Sequence, residues 1–143
     1  MAIWSIIAAP LFMSNDLRTI GQEFKDILLN KEVVAVNQDP LAQPGLRVFH
    51  NNTIDIWLRP ILPEQKDKKQ SHTSYALAFV NRLSDGPINI GVSLRELGLT
   101  KTYLFRDLFE KIDLGLFNRN DRFRVTVPPT AVRLIKATLH MND

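Results

Sequence analysis

Residues Ile54-Asp55-Ile56-Trp57-Leu58-Arg59 alternate aliphatic side chains with polar or aromatic ones, so the three aliphatic residues project to one side of an extended chain. The same two-residue period returns at 123–127, where Phe, Val and Val alternate with Arg and Thr. This period is typical of strands that bury one face against a core. It predicts that this part of the chain folds as antiparallel β-structure.

Further short apolar runs of the same kind lie between these two stretches and after the second one. Turn sequences such as Ser84-Asp85-Gly86-Pro87 and Pro128-Pro129 separate them. Many short strands with regular turn signals favour a β-sandwich, which we expect over residues 46–143. The additional predicted strands cover residues 75–80, 88–94, 102–107 and 131–139.

Residues 1–38 have a different pattern. Ala2–Ala9 is consistent with the end of a buried helix, and the apolar run Pro10–Met13 predicts a short strand. Helical spacing then follows at Leu17, Ile20, Phe24, Ile27 and Leu28, with a further apolar patch at Val33, Val34 and Val36. The order helix, strand, helix is one slice of an alternating α/β protein. Prolines and a glycine within residues 39–45 predict a linker between the two parts.

The composition excludes several classes of protein. The chain has 18 Lys and Arg against 15 Asp and Glu, with no basic arm or stripe, so no nucleic-acid partner is expected. It has no cysteine, which excludes disulfides and thiol catalysis. The apolar opening Met1–Met13 is not interpreted as a signal sequence, because no Lys or Arg precedes it, and it is too short to span a membrane.

Motifs that carry common enzyme chemistry are absent from the sequence. There is no Gly-x-Ser-x-Gly, Gly-x-x-x-x-Gly-Lys, Gly-x-Gly-x-x-Gly or His-Glu-x-x-His. The three histidines, His50, His72 and His140, lie far apart, and none has a second ligand type at metal spacing. We therefore predict neither a metal site nor a cofactor.

A glycosidase needs one carboxyl group as acid and another as base or nucleophile, so the carboxylates of this chain are candidates for such a pair. Asp107, Glu110 and Asp113 form the densest group, but the sequence around them favours a strand–turn–strand with exposed turn carboxylates. Asp16 follows an apolar run, as active-site residues do in closed parallel barrels. The favoured alternative is that it caps a turn, with Arg18 paired to a buried acid.

Three further features bear on surface function. Trp4 is predicted to pack in a core, whereas Trp57 is left open between core packing and stacking on a sugar ring. Asn51-Asn52-Thr53 fits the N-glycosylation pattern and is expected in a tight turn, so Asn51 is a candidate acceptor. Glu64–Gln70 is predicted to be a solvated loop.

Several stretches of the sequence form a set of motifs: Met1-Ala2-Ile3-Trp4, residues 8–18, residues 36–41, Trp57-Leu58-Arg59-Pro60, Asn81-Arg82 and residues 125–132. Together these motifs resemble the animal α-galactosidases and α-N-acetylgalactosaminidases of glycoside hydrolase family twenty-seven. The resemblance is specific in residues 1–41, and weaker similarity continues to the end of the β region. The chain lacks a cysteine pair of the vertebrate relatives and has a charged insertion near Lys66–Lys69.

The resemblance implies a (β/α)₈ catalytic barrel followed by an antiparallel sandwich, with residues 1–38 as the barrel's last strand and helices. It implies a retaining enzyme that removes terminal α-linked galactose or N-acetylgalactosamine with two aspartates, both upstream of the match. We therefore predict no catalytic or substrate-binding residue in this chain. A homodimer, a lysosomal or secreted location and an upstream signal peptide are also implied. Residues 11–15 look closer to the α-galactosidase branch, and a non-catalytic interaction or sugar-binding module is the alternative.

Overall fold

A computed structural model of the chain describes residues 1–16, 18–66 and 71–140. Three short helices precede eight strands. The helices are α1 (Ala2–Ile6), α2 (Gln22–Leu28) and α3 (Lys31–Asn37). The strands are β1 (Leu46–His50), β2 (Ile54–Lys66), β3 (Ser71–Asn81), β4 (Ile88–Ser93), β5 (Tyr103–Asp107), β6 (Ile112–Phe117), β7 (Arg122–Val127) and β8 (Val132–Leu139).

The strands form two antiparallel sheets. The larger sheet has six strands in the order β1-β2-β3-β8-β5-β6, and the smaller one pairs β4 with β7. The β2–β3 hairpin is the longest part of the larger sheet. Its pairing runs from Ile54 opposite Asn81 to Lys66 opposite Ser71, with an irregularity between Ile61 and Glu64. The described residues contain no helix with the length and apolar character needed to cross a bilayer.

A first hydrophobic core lies between the two sheets. The two-residue period of the strands brings Leu77 and Phe79 of β3 to this side. Aromatic rings fill its centre, with Phe105 at 4.8 Å from Phe117 and 4.9 Å from Phe123 between ring centroids. The apolar residues whose alternation predicts the strands are therefore the residues that fill this core.

A second core lies on the opposite face of the six-stranded sheet, where α1 and α3 cover it. Small residues of β3, Ala76 and Ala78, allow the helices to approach closely, and Ile6, Val33 and Val36 pack onto them. Strand β3 is consequently buried on both faces, and the fold has three layers: helices, large sheet and small sheet.

A buried asparagine fixes the start of α3. The Asn30 side-chain oxygen accepts hydrogen bonds from the backbone N–H groups of Glu32 (3.0 Å) and Val33 (3.2 Å). These groups have no partner inside the helix, so the cap satisfies them. The Asn30 amide also donates to the carbonyl of Leu108 (2.8 Å), which ties the helix to the sheet.

The antiparallel β-fold predicted from the sequence is confirmed, but two local predictions are wrong. No strand forms at Pro10–Met13, where no neighbouring strand offers hydrogen-bond partners to the backbone. Glu64–Lys66 belongs to β2 rather than to a loop, because the ladder with β3 continues through it, and the remainder of the predicted loop, 67–70, lies outside the described residues. Most of the proposed insertion near Lys66–Lys69, as well as Leu17, also lies outside them.

Candidate functional site

The junction between the helices and the large sheet is organised by Arg59 of β2, a fully buried side chain. Its guanidinium donates to three backbone carbonyls, those of Ser5 (2.5 Å), Gln43 (2.8 Å) and Asn37 (3.2 Å). The acceptors at Ser5 and Asn37 lie at the carboxyl ends of α1 and α3, where the helix dipole favours a positive charge. Burial lowers the pKa of Arg59, and Asp39 opposes that shift.

The linker between the two parts is held against both of them. Asp39 accepts hydrogen bonds from the backbone N–H groups of Leu41 and Leu62, each at 3.0 Å. Gly45 donates to the Ile6 carbonyl at 2.7 Å, and a Cβ at this position would lie 2.6 Å from Ile6 Cγ2. Only glycine fits this close approach without a shift of its neighbours, so Gly45 lets the linker pack directly against α1 and β2.

The outward side of the helical segment carries large apolar side chains. Phe12 is 84% exposed and Phe24 is 54% exposed, and no residue of α2 is buried. Exposed apolar groups in such number mark surfaces that contact other protein or ligand. We call this the helical outer surface, and its members are Trp4, Phe12, Met13, Phe24, Ile27 and Leu29.

Trp4 was predicted in a core, and this prediction is wrong. It is 51% exposed, because the buried stripe of α1 runs through Ala2 and Ile6, and Trp4 lies off that stripe. Trp57 is partly buried against the second core, and the guanidinium of Arg47 lies 5.7 Å from its ring centroid. The Trp57 ring therefore packs against the second core and makes a cation–π contact with Arg47.

Asp16 lies in an exposed turn and is paired with its neighbour. Arg18 donates to it from Nε (2.9 Å), from Nη2 (3.0 Å) and from the backbone N–H (3.0 Å), and these bonds lower the pKa of Asp16. The backbone N–H groups of Thr19 and Ile20 donate to the Asp16 carbonyl. The turn interpretation is confirmed, but the acid that pairs with Arg18 is exposed rather than buried.

The carboxylates at 107–113 are also held by arginines. Arg133 contacts Asp107 (3.4 Å) and Glu110 (2.5 Å), and Arg106 donates to Asp113 (2.9 Å). Asp107 further accepts two backbone hydrogen bonds from the turn that follows it. Asp107 and Glu110 border a groove of about 640 Å³ that residues of β6 and β7 also line. The turn predicted from the sequence is present at Asp107–Glu110, but Asp107 is only 4% exposed, so the prediction of exposed carboxylates is wrong for that residue.

His50 of β1 is paired with a carboxylate. His50 and Asp55 face each other across the β1–β2 hairpin, with Nδ1 2.5 Å from Oδ1. Arg82 approaches the same nitrogen at 3.3 Å, and Arg47 lies 3.8 Å from Asp55. The described part of the chain holds no group of three or more acidic or histidine side chains placed to bind a metal. This pair is not among the residues predicted from the sequence, although its five-residue separation across a tight turn could have revealed it.

Asn51 lies in the turn of that hairpin, as the sequence predicts. Its side-chain oxygen accepts from the backbone N–H groups of Thr53 (2.8 Å) and Ile54 (2.7 Å), which forms an Asx turn. The residue is exposed, so this position is accessible from solvent.

Comparison with known proteins places these features in a family. The sequence profile described as "Alpha galactosidase A" matches residues 1–39, and the profile described as "Alpha galactosidase C-terminal beta sandwich domain" matches residues 51–137. The chain is 34% identical to the alpha-galactosidase A of Homo sapiens in an alignment of length 142 that covers 95% of this chain and 31% of that protein. It is 38% identical to the alpha-N-acetylgalactosaminidase of Gallus gallus in an alignment of length 136 that covers 92% of this chain and 31% of that protein.

Solved structures agree with the fold. The crystal structure of alpha-galactosidase I from Mortierella vinacea superposes with a TM-score of 0.80 at 24% identity, covering 95% of this chain and 33% of that one. A putative alpha-galactosidase from Bacteroides fragilis gives a TM-score of 0.78 at 26% identity, covering 96% and 27%. The chain thus spans about a third of the length of the curated relatives that it matches. It belongs to glycoside hydrolase family twenty-seven, the family of the α-galactosidases and α-N-acetylgalactosaminidases, and matches the carboxyl-terminal portion of its members.

Proposed function

We propose that this chain is the carboxyl-terminal part of a retaining exo-glycosidase that hydrolyses terminal α-linked galactose from glycolipids, glycoproteins or oligosaccharides. The observation that carries the proposal is the helical outer surface, whose exposed Phe12, Phe24 and Leu29 lie within or beside a segment similar to alpha-galactosidase A. In this proposal the surface packs against the preceding elements of a (β/α)₈ barrel, to which residues 1–38 contribute the last strand position and helices. Residues 39–45 form the linker, and residues 46–143 form the sandwich.

The catalytic carboxylates belong to the barrel in this proposal and not to this chain. Retaining hydrolysis needs two carboxyl groups about 5 Å apart, one acting as nucleophile and the other exchanging a proton. Among the described residues, Asp16 is bound by Arg18, and Asp107 and Glu110 are bound by Arg133. The role of the chain is therefore to close and support the barrel, and Arg59 transmits that support from the sandwich to both helix ends.

The first test is the size and activity of the native protein. An antibody raised against residues 40–143 should detect a band larger than the 16.4 kDa of this chain by the size of a barrel, on the order of 250 residues. The protein captured by this antibody should hydrolyse an aryl α-galactoside. A sole band near 16.4 kDa, without activity, contradicts the proposal and favours a non-catalytic interaction module.

A second test examines the helical outer surface in the 143-residue chain itself. Phe24→Gln should reduce self-association, because it removes apolar area that the barrel covers in the whole protein. Ile112→Gln is the matched control, since Ile112 is 52% exposed but lies on the sandwich. Equal effects of the two substitutions on sedimentation would contradict a special role for the helical face. Deleting residues 1–38 is less informative, because it also uncovers Ala76, Ala78 and Leu134.

A second candidate substrate is terminal α-linked N-acetylgalactosamine. One observation favours it: the chain is more similar to the alpha-N-acetylgalactosaminidase of Gallus gallus (38% identity) than to the alpha-galactosidase A of Homo sapiens (34%). The values of kcat/KM of the captured protein for an aryl α-galactoside and for an aryl α-N-acetylgalactosaminide decide between the two substrates. A ratio of kcat/KM far above one for the galactoside supports the first proposal, and a ratio far below one supports the second.

Assembly as a homodimer and a lysosomal or secreted location complete the proposal, and the family resemblance supports both. Light scattering of the captured native protein should give twice the chain mass. Fractionation of cells should place the antigen in lysosomes or in the medium. A monomer, or an antigen confined to the cytosol, contradicts the corresponding part.

A further inference from the structure

The asparagine at position 51 has the chemistry and setting of a modification site. Asn51-Asn52-Thr53 is the only Asn-x-Ser/Thr sequence among the 143 residues. It forms the exposed turn that joins β1 to β2, beyond the last residue of each strand. A large substituent at the tip of a hairpin projects into solvent without displacing packed side chains.

The hydrogen bonds of Asn51 leave its amide nitrogen available. Its oxygen accepts the two backbone bonds of the Asx turn, whereas its Nδ2 donates to no group in the described part of the chain. Three other asparagines use this nitrogen in the fold: Asn30 donates from Nδ2 to Leu108, Asn37 to Ala9, and Asn81 to Gly86 and Val127. Nitrogens committed to these bonds are structural, and that of Asn51 is not.

We propose that Asn51 is N-glycosylated and that the glycan masks the free edge of the large sheet. The proposal rests on the proposed lysosomal or secreted location. The donor is a lipid-linked oligosaccharide diphosphate. A bond forms between Nδ2 and the anomeric carbon, the bond from that carbon to the diphosphate oxygen breaks, the amide loses one proton, and the lipid diphosphate leaves with the electron pair.

The turn accommodates this product without rearrangement. The substituted amide keeps its carbonyl oxygen, so both bonds to the N–H groups of Thr53 and Ile54 remain possible. The attachment changes only the nitrogen, which has no partner to lose. Glycosylation therefore carries no cost in hydrogen bonds at this turn.

The free edge beside Asn51 explains what the glycan does. Among the described strands β1 pairs with β2 alone, so the backbone groups on its other edge are free of strand partners, and its side chains Leu46, Val48 and Phe49 are exposed. An exposed apolar edge strand can pair with another chain and aggregate. The glycan would be attached at the residue that follows β1, where its bulk blocks the approach of a second strand.

The modification is tested on the native protein captured with the antibody, by treatment with peptide N-glycosidase and by mass spectrometry of the peptide containing Asn51. We expect conversion of Asn51 to aspartate. α-Galactosidase activity is measured on the same sample. Activity without this conversion overturns the glycan proposal alone, and the conversion without activity overturns the proposed function alone.

Variants of the full chain, secreted from a eukaryotic host, identify the site and its role. Asn51→Asp and Thr53→Ala should lose the mobility shift that peptide N-glycosidase causes, whereas Thr53→Ser and Asn52→Gln should retain it. Asn51→Asp keeps the oxygen that forms the Asx turn, so it removes the glycan without removing the turn. Both unglycosylated variants should show several-fold more large species by size-exclusion chromatography at equal concentration. If both elute as the glycosylated chain does, the masking role is wrong.

Discussion

The two faces of the six-stranded sheet are closed in different ways. On one face the small β4–β7 sheet covers a layer of interlocking aromatic rings, including Phe79, Phe105 and Phe123. On the other face, α1 and α3 cover small side chains and a buried arginine. The first layer is complete within the sandwich, whereas the second depends on a segment whose outward side remains exposed.

This difference indicates that the two layers have different tasks. An aromatic core stabilises the sandwich because it removes apolar surface from water. This contribution to the free energy of folding is large and does not depend on contact with another part of a protein. A layer held by hydrogen bonds to helix ends fixes the position and orientation of the helices instead. If so, damage to the first layer should unfold the chain, and damage to the second should release the helices while the sandwich persists.

The largest effect is expected for Phe105→Ala, which empties the centre of the aromatic layer. Phe105 is fully buried and contacts Phe117 and Phe123, so the loss should be about 3–5 kcal/mol of the free energy of unfolding. Denaturant titration followed by circular dichroism measures it. Leu104→Ala, at the exposed neighbouring position, is the control and should cost less than about 1 kcal/mol. Similar losses for both would mean that this layer is not the main core.

Replacement of Arg59 tests the second layer. Arg59→Met keeps much of the volume but leaves the carbonyls of Ser5, Gln43 and Asn37 without this donor, which should cost roughly 2–4 kcal/mol. Limited trypsin digestion should then cleave first at Arg18, Lys25 or Lys31, while the sandwich stays protected. Arg47→Met, at an exposed position of the same sheet, should leave the digestion pattern unchanged. Simultaneous cleavage throughout the chain would show that the two layers unfold together.

A steric change in the linker should have a smaller effect of the same kind. In Gly45→Ala the new methyl group would lie 2.6 Å from Ile6 Cγ2 and 2.8 Å from Arg59 Cβ, so α1 must shift away from the sheet at a cost of about 1–3 kcal/mol. Gly86→Ala is the matched control, because no heavy atom lies within 4 Å of its added carbon. Hydrogen exchange should increase in α1 for the first variant only. Equal exchange in both would argue against close packing at Gly45.

The sequence predicted the first layer well and the second layer poorly, for physical reasons. Strands β2 and β7 have a clear two-residue period because one of their faces is buried in a core made by other strands. Strand β1 was not predicted, since all five of its residues are exposed and a register shift between Arg47 and Phe49 interrupts its phase. An exposed strand has no burial pattern to detect.

Residues that act across layers were the hardest to predict. Arg59 occupies the polar phase of β2, and the local pattern places it in solvent, yet the helices from the other end of the chain bury it completely. Trp4 shows the converse, an apolar residue in an apolar run that the described residues leave half exposed. Local periodicity identifies the two sides of an element, but what covers each side is decided by distant residues.

The smallest expected effect concerns the ion pair that joins α3 to β5. Arg106 donates to Glu32 at 2.7 Å and 3.1 Å and lowers the pKa of that carboxyl below its ordinary value of 4.5. A carboxyl with a lowered folded-state pKa stabilises the fold fully above its ordinary value, and this stabilisation disappears as the pH falls through the folded-state value. Both side chains are partly exposed, so solvent screens the pair and the effect should be weaker than that of Gly45→Ala.

Glu32→Gln should therefore reduce the free energy of unfolding at pH 7, and the difference between variant and parent should stay constant down to about the ordinary value of 4.5 and shrink as the pH falls further. Glu23→Gln is the control, because this exposed residue of α2 makes no ion pair in the part of the chain that the structure describes. Thermal unfolding across the pH range measures both. An effect of Glu32→Gln that stays constant as the pH falls well below 4.5 would point to lost packing, whereas an effect that decreases below 4.5 would show that charge contributes to the attachment of α3 to the sheet.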